Sequence, residues 1–244
     1  MSNVSRKYHQ EILLELKKCK GQTGKHSSDN YCGHNDPSLH IGTPVSRQIA
    51  KSFAQKHQDL SFTDFLELLN SLYQGKYSDE KSMAGKLLRV YPKLRSKIEP
   101  KKLDTWLNYL DGWEQVDSLC QSVFTAEDMS VSWNEWQRTL TSFSKNKNTN
   151  KRRASLVLLT APVRQSNDER FPRLAFRIIE RLKSEKEILI TKAVSWLLRE
   201  MIKNHKDKAA VYLQKNKESL PKIAVRETTR KLKTGRNRVI WLAL

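Results

Sequence analysis

Two tryptophans of this chain are spaced so that they share a helical face with charged side chains. Trp113 precedes Asp117 by four residues, which is about one helical turn. Trp196 precedes Arg199 by three residues and Glu200 by four. An aromatic face and a carboxylate both stabilise a positive charge, and an arginine binds phosphate. These residues are therefore candidates for the recognition of a cation that forms part of a polyanion.

Lys151, Arg152 and Arg153 form a second candidate group, directly before an apolar stretch that predicts a helix. Cations in the first turn of a helix oppose its macrodipole, at a cost of a few tenths to about 1 kcal/mol each. A bound phosphate would reverse the sign of that effect, because a helix N-terminus itself attracts anions. The run is therefore interpreted as a phosphate contact, with a solvated basic loop end as the alternative.

Positive charge is concentrated in the C-terminal part of the chain. Residues 145–244 contain 26 Lys and Arg against 9 Asp and Glu, whereas residues 1–144 contain 19 against 17. The whole chain of 244 residues carries a net charge of +19. Such an asymmetric basic region is typical of proteins that bind phosphate backbones. Nucleic acid is therefore the expected partner.

Composition limits the other classes of protein. With 38% hydrophobic residues, the chain can bury a substantial core. No apolar run approaches the roughly 18 residues of a membrane span, and the N-terminus lacks the apolar block of a signal peptide. The odd, scattered set of Cys19, Cys32 and Cys120 predicts free thiols in a reducing compartment. A cytoplasmic protein without a membrane partner is expected.

A metal site and a nucleotide site find little support. Cys19, Cys32, His34 and His40 lie in and around one Gly-containing segment, but their spacing matches no common zinc-ligand pattern. Glycine-rich phosphate loops and the usual hydrolase and metalloprotease motifs are also missing from the sequence. The sequence therefore predicts neither a metal nor another cofactor.

Helical periodicity extends along almost the whole chain. Apolar residues recur every three or four positions, and alternating strand patterns between tight-turn dipeptides do not occur. The predicted helices cover about residues 8–16, 45–56, 62–73, 80–90, 103–110, 113–124, 133–143, 152–159, 171–182, 188–202, 209–213 and 221–232. Residues 144–151 are interpreted as a basic loop between two helices.

Many short helices joined by polar links favour an all-α fold, a HEAT-like helical-repeat superhelix with a concave binding face. A compact irregular helical bundle is the alternative. We expect one domain over residues 1–244, with a loop at about 21–42 and a tail at about 235–244. Trp106, Trp133, Trp136 and Trp241 are interpreted as packing residues.

Several segments resemble the DNA alkylation repair glycosylases of the AlkD type, which are built from HEAT-like repeats. Residues 113–117 read Trp-Glu-Gln-Val-Asp where that family usually has Trp-Asp-x-Val-Asp, so Glu114 replaces an aspartate. Residues 152–154 and 192–200 also resemble it, as do Gly42-Thr43-Pro44 and Arg226-Glu227. The likeness covers roughly residues 40–232, and the first 40 residues match poorly.

The resemblance implies a DNA glycosylase that hydrolyses the N-glycosidic bond of cationic N3- or N7-alkylated purines in duplex DNA, as part of base excision repair. It makes Asp117, Trp113 and Trp196 catalytic, and Arg153 a contact of the lesion phosphate. Further DNA contacts would come from the rest of the basic set, Lys151, Arg152 and Arg199. It also implies recognition through the backbone and sugar, without a tight base pocket, by a monomer associated with the nucleoid.

The same residues suit that chemistry on physical grounds. A purine alkylated at N3 or N7 is cationic, so its glycosidic bond is already weakened. A carboxylate such as Asp117 stabilises an oxocarbenium-like sugar and positions water, while Trp113 and Trp196 add cation–π attraction. Two alternatives stay open: a non-catalytic helical-repeat protein that binds damaged or branched DNA, and a helical scaffold for proteins or RNA. Tyr31 is the candidate for an additional aromatic contact.

Overall fold

The computed structural model describes residues 3–22, 33 and 35–235, and these residues form helices joined by loops. The helices are α1 (Asn3–Lys18), α2 (Thr43–Lys56), α3 (Phe62–Tyr73), α4 (Ser78–Val90), α5 (Pro92–Arg95), α6 (Lys102–Leu107), α7 (Gly112–Cys120), α8 (Ala126–Val131), α9 (Trp133–Phe143), α10 (Thr149–Gln165), α11 (Arg170–Leu182), α12 (Ile188–Met201), α13 (Lys206–Lys215) and α14 (Lys222–Thr234). The all-α prediction is confirmed. No helix among the described residues combines the length and apolar character that crossing a membrane requires.

Contacts divide the chain into two units, Met1–Val123 and Phe124–Leu244. In the first unit, α4 packs between α2 and α7, so that these three helices form a row. α1 and α3 pack against each other and against the row. The core of this layer contains Leu68, Leu69 and Leu72 from the apolar face of α3. Such stacking of neighbouring helices is typical of helical-repeat proteins.

The second unit has a corresponding row formed by α10, α12 and α14. α10 is buried on every side over Arg153–Val163, which explains why its sequence is apolar without a polar stripe. α11 packs on α10 and α12, while α13 packs on α14. The last helix ends where Gly235 adopts the left-handed conformation with a φ of +68°, a common helix C-terminus.

Most helix boundaries agree with the sequence to within a few residues, and the differences have local causes. The helix at Phe62–Tyr73 begins as predicted, because Ser61 Oγ accepts a hydrogen bond from the Asp64 amide. The helix predicted at 152–159 is longer, since Asn148 caps it before Thr149 and Pro162 does not end it. A short helix, α8, was not predicted, although Thr125 and Asp128 form a capping box there.

Candidate functional site

The start of α7 is built so that Trp113 lies in its first turn. Asp111 caps the helix by accepting from the Gly112 amide at 2.9 Å. Gly112 has a φ of +67°, a conformation that favours glycine, and it turns the chain sharply into the helix. The side-chain oxygen of Gln115 in turn accepts from the Asp111 amide at 2.9 Å. These contacts fix the direction of α7 and hence the position of its aromatic residue.

Three residues of the predicted loop, Gly33, Asn35 and Asp36, lie against the same helix start. Asn35 donates its backbone N–H to the Asp111 carboxylate at 3.1 Å. Asp36 accepts from Gln115 Nε2 at 2.7 Å and from Lys81 at 2.5 Å. A Cβ added to Gly33 would lie 3.5 Å from the Trp113 indole. The loop therefore supports α7 directly beside the tryptophan.

Trp113 and Asp117 line one cavity of about 200 Å³ in the first unit. Its complete lining is Thr43, Arg47, Ser82, Lys86, Arg89, Trp113, Glu114, Asp117, Ser118 and Gln121. Asp117 is only 9% exposed, whereas Trp113 and Glu114 are half-buried. The structure thus brings together an aromatic face, two carboxylates and three cations. Glu114, which departs from the family's usual aspartate, keeps its carboxylate in this cavity.

A second cavity of the first unit, about 420 Å³, lies between α1 and α2 and has fewer groups suited to catalysis in its wall. Its wall is largely apolar, and it includes Ile12, Ile49 and Phe53. The Glu11 carboxylate in that wall accepts from Lys56 and His57, which lower the pKa of Glu11 despite the opposing effect of burial. The smaller cavity is therefore the candidate site.

Lys86 is the functional candidate that the sequence did not reveal. Burial lowers the pKa of its ammonium to about 8, and the nearby cations Arg47 and Arg89 act in the same direction. The carboxylates of Glu114 and Asp79 oppose this shift without cancelling it. The hydrogen bond that Nζ donates to Ser82 O is long, at 3.4 Å.

The helix that carries the half-buried Lys86 approaches α7 closely at the preceding residue, Gly85. A Cβ at Gly85 would lie 2.2 Å from the Ser118 carbonyl oxygen, so only glycine permits this approach of α4 to α7. Ser118 Oγ donates to the Ser82 carbonyl at 2.9 Å across the same contact. A glycine inside a helical pattern is a signal of close backbone approach, and it could have indicated this environment.

Arg89 completes the basic wall of the cavity. Its Nη2 donates to the Gln121 carbonyl, while its Nε is buried without a hydrogen-bond partner among the described residues. Burial and the nearby Arg47 lower the pKa of Arg89. A guanidinium that is desolvated and incompletely hydrogen-bonded is suited to accept an anionic ligand such as a phosphate.

In the second unit, Arg152 is part of a local network at the start of α10. It forms an ion pair with Glu185 at 2.9 Å and donates to the carbonyls of Asn146 and Lys147 at 2.9 and 2.7 Å. It also reaches Thr149 Oγ1 at 3.3 Å. These contacts make Arg152 a structural residue of the loop before α10, and its role as a phosphate contact stays a prediction.

Lys151 and Arg153 are both buried, at 6% and 5% exposure. The Lys151 amide donates to the Asn148 cap, and Arg153 Nη1 donates to the Leu189 carbonyl at 2.6 Å. The second bond ties α10 to the beginning of α12. The basic run is therefore not a solvated loop end: it belongs to the second, third and fourth positions after Thr149, inside a capped helix.

The α12 segment holds Trp196 between residues that are fixed by the last helix. Trp196 is half-buried, and its neighbour Ser195 donates to Glu227 of α14 at 2.6 Å. Arg199 also faces Glu227, with an Nε to Oε2 distance of 3.4 Å. Glu200 instead pairs with Arg164 at 2.7 Å. Glu227, one of the residues that carry the family resemblance, thus orients Arg199, one turn after Trp196.

The tryptophans that were predicted to be packing residues contact neighbouring side chains where the structure describes them. Trp106 is fully buried and donates to Asn70 Oδ1 at 2.8 Å. Trp136 is 2% exposed, and Trp133 contacts the Phe171 ring at 5.4 Å between centroids. Trp241 and Tyr31 lie outside the described residues, as do Cys32 and His34, two of the four residues considered as zinc ligands. Within the described ranges, no cluster of three potential metal ligands occurs.

Comparison with known proteins agrees with this architecture. The family model described as "DNA alkylation repair enzyme" matches residues 12–232. Among solved structures, the fold is similar to that of a predicted DNA alkylation repair enzyme from Enterococcus faecalis, with a TM-score of 0.70 at 18% identity, covering 84% of this chain and 92% of that one. No curated protein matches. Because the family match spans most of the sequence, the chain belongs to the DNA alkylation repair enzyme family and has a role in the repair of alkylated DNA.

Proposed function

We propose that the protein is a DNA-3-methyladenine/7-methylguanine glycosylase, a hydrolase that initiates base excision repair of cationic alkylpurines in duplex DNA. The observation that carries this proposal is the cavity that Asp117 shares with Trp113. A nearly buried carboxylate beside an aromatic face is suited to stabilise a cation that develops during a reaction. Family membership supports alkylated DNA as the substrate.

The proposed reaction is hydrolysis through an oxocarbenium-like sugar. The alkylated base leaves with its bonding electrons and becomes neutral, while positive charge develops at C1′. Asp117 stabilises that charge and orients the water that attacks C1′, and Trp113 adds cation–π attraction. Because the base is already cationic, the step requires neither a metal ion nor another cofactor.

The cations supply DNA binding in this proposal. Arg47 and Arg89 in the cavity wall bind a phosphate next to the lesion sugar, since Arg89 is desolvated and incompletely hydrogen-bonded. In the second unit, Arg153 binds a further phosphate, assisted by Lys151, Arg152 and Arg199, and Trp196 provides a second aromatic contact. The protein acts as a monomer on chromosomal DNA in the cytoplasm, within the nucleoid.

The test is release of free base from duplex DNA that contains 7-methylguanine, under single-turnover conditions. Asp117→Asn should retain DNA binding and lose excision by on the order of 10²-fold or more, because an amide does not offset the oxocarbenium charge. Asp59→Asn is the matched control: it makes the same chemical change at an exposed residue outside the cavity lining, and it should leave the rate unchanged.

Other results would favour the alternatives. DNA binding without any base release by the wild-type protein would indicate a non-catalytic protein that recognises damaged or branched DNA. Equal competition by RNA and duplex DNA would indicate a scaffold or an RNA-binding role. Full excision by Asp117→Asn would remove that carboxylate from the mechanism.

A further inference from the structure

Lys86 lines the cavity of Trp113 and Asp117 but has no part in the hydrolysis described above. In the proposed function, this cavity also holds the lesion sugar. Excision of the base leaves an abasic deoxyribose, whose ring-opened form carries an aldehyde at C1′. A lysine amine in its neutral form adds to such a carbonyl and forms an imine. The cavity therefore combines a nucleophile with the product of the proposed reaction.

We propose that the protein is also an abasic-site lyase in which Lys86 is the nucleophile, an activity that rests on the proposed glycosylase function for its substrate. Nζ of Lys86 adds to the C1′ aldehyde, forming a C–N bond. The carbonyl oxygen takes up protons and leaves as water, which gives a protonated imine. No oxidant, reductant or further reactant is required.

Strand cleavage follows from the same intermediate. A carboxylate of the cavity, Asp117 or Glu114, removes a proton from C2′ of the imine. The C3′–O bond then breaks and its electron pair leaves with the 3′ phosphate, which Arg47 and Arg89 stabilise. Water hydrolyses the imine and returns the free amine of Lys86. The cleaved strands end in an unsaturated 3′ aldehyde and a 5′ phosphate.

The environment of Lys86 supports this role in three ways. Lys86 is half-buried in the cavity wall, next to the close contact of α4 and α7 at Gly85. Burial lowers the pKa of the amine to about 8, and the flanking cations Arg89 and Arg47 act in the same direction. A far larger fraction of Lys86 is therefore neutral near pH 7.5 than of an ordinary lysine.

The charged groups around the amine set its pH dependence. They are Arg47 from α2, Asp79 and Arg89 from α4, and Glu114 and Asp117 from α7. Adduct formation should increase between pH 6.5 and 8.5, as Lys86 loses its proton.

The experiment uses duplex DNA with a preformed abasic site, so that it does not depend on base excision. Sodium cyanoborohydride reduces an imine to a stable amine, and gel electrophoresis then reveals a covalent protein–DNA adduct. The wild-type protein should form this adduct, and Lys86→Met should lose it by about tenfold or more. Lys93→Met, which removes an exposed lysine of the same unit, should retain it.

A second variant separates nucleophilic from electrostatic action. Lys86→Arg keeps a cation for phosphate but lacks an amine that becomes neutral at pH 7.5, so it should bind DNA and form no adduct. Thermal melting of each variant establishes that it is folded. Strand cleavage with an unsaturated 3′ aldehyde should follow the adduct in every variant.

Three results would overturn the lyase proposal. These are the absence of an adduct with the wild-type protein, an undiminished adduct with Lys86→Met, and strand cleavage that persists in Lys86→Arg. Base release from 7-methylguanine duplexes is measured in parallel. Base release without an adduct would reject the lyase proposal and leave the glycosylase proposal standing. An adduct without base release would reject the glycosylase proposal and leave the lyase proposal standing.

Discussion

The cations of the two units differ in what surrounds them. In the second unit, Arg152, Arg164 and Arg199 each lie beside a carboxylate that orients the guanidinium. In the cavity of the first unit, the carboxylates near Lys86 do not compensate for its burial. These three arginines of the second unit are therefore stabilised in place, whereas Lys86 and Arg89 of the cavity are held at an energetic cost.

This difference shows where chemistry is expected. A cation that is already paired gains little from a ligand, because the ligand must compete with the partner. A desolvated cation that lacks full compensation gains more when an anion arrives or when it loses its proton. High net charge thus favours a nucleic-acid partner, while incomplete compensation supports the proposal that the cavity is the reactive site.

Gly85→Ala, a substitution in the first unit, should have the largest effect of these variants on stability and base release. The new Cβ would clash with the Ser118 backbone and force α4 away from α7. We expect a loss of about 1–3 kcal/mol in the free energy of unfolding, which is typical of overpacking, together with loss of base release. Urea unfolding and single-turnover excision measure both. An unchanged excision rate would show that the cavity does not depend on this contact.

Arg153→Ala tests the prediction for the second unit. It should weaken binding to lesion DNA and reduce the slope of log affinity against log salt by about 1, the value for one phosphate contact. Arg152→Ala is the comparison, because this arginine is already engaged by Glu185 and two carbonyls. It should reduce stability and change the salt slope less. Equal slopes for the wild type and Arg153→Ala would leave that arginine with a structural role only.

Much of this arrangement could be predicted from short sequence patterns. The spacing of Trp113 and Asp117 placed them on one helical face, and the structure puts both side chains in one cavity. The helix predicted at 62–73 has these bounds in the structure, where Ser61 caps it. Such features depend on neighbours within one turn of helix, which the sequence displays directly.

The missed features depend on tertiary contacts. Lys86 lies in an amphipathic helix where a lysine is normally solvated, and its place in the cavity wall depends on how α4 packs against α2 and α7. Arg152 pairs with Glu185, which is 33 positions away in the sequence and could not be recognised as its partner there. A charge pattern reveals which residues are cationic, and it does not reveal which carboxylates the fold brings to them.

Lys86→Met should change the free energy of unfolding least. It should increase that free energy, whereas most core substitutions decrease it. At pH 7 most of the lysine is charged in both the folded and the unfolded state, so the folded protein bears the cost of desolvating a half-buried ammonium. Replacement by methionine should therefore stabilise the protein at pH 7 by roughly 1 kcal/mol after allowance for partial exposure.

The pH dependence provides the check on that substitution. Between pH 8 and about 10.5 the unfolded chain holds the proton that the folded chain has lost, so the wild type gains stability with rising pH relative to the variant. The advantage of Lys86→Met in urea unfolding should thus shrink from pH 7 to pH 10. Lys93→Met serves as the control and should show no such trend. A constant advantage would mean that Lys86 is not desolvated.

The most direct test of the central claim is to compare release of cationic and neutral lesions by the wild-type protein. If the cavity of Asp117 and Trp113 acts on positive charge, 3-methyladenine and 7-methylguanine should be released from duplex DNA, and neutral 1,N6-ethenoadenine should remain. Larger alkyl groups on N7 should slow release only modestly, since recognition through backbone and sugar leaves the adduct unenclosed. Comparable release of neutral and cationic lesions, or a sharp limit on adduct size, would contradict the account and indicate an enclosing pocket for a flipped base.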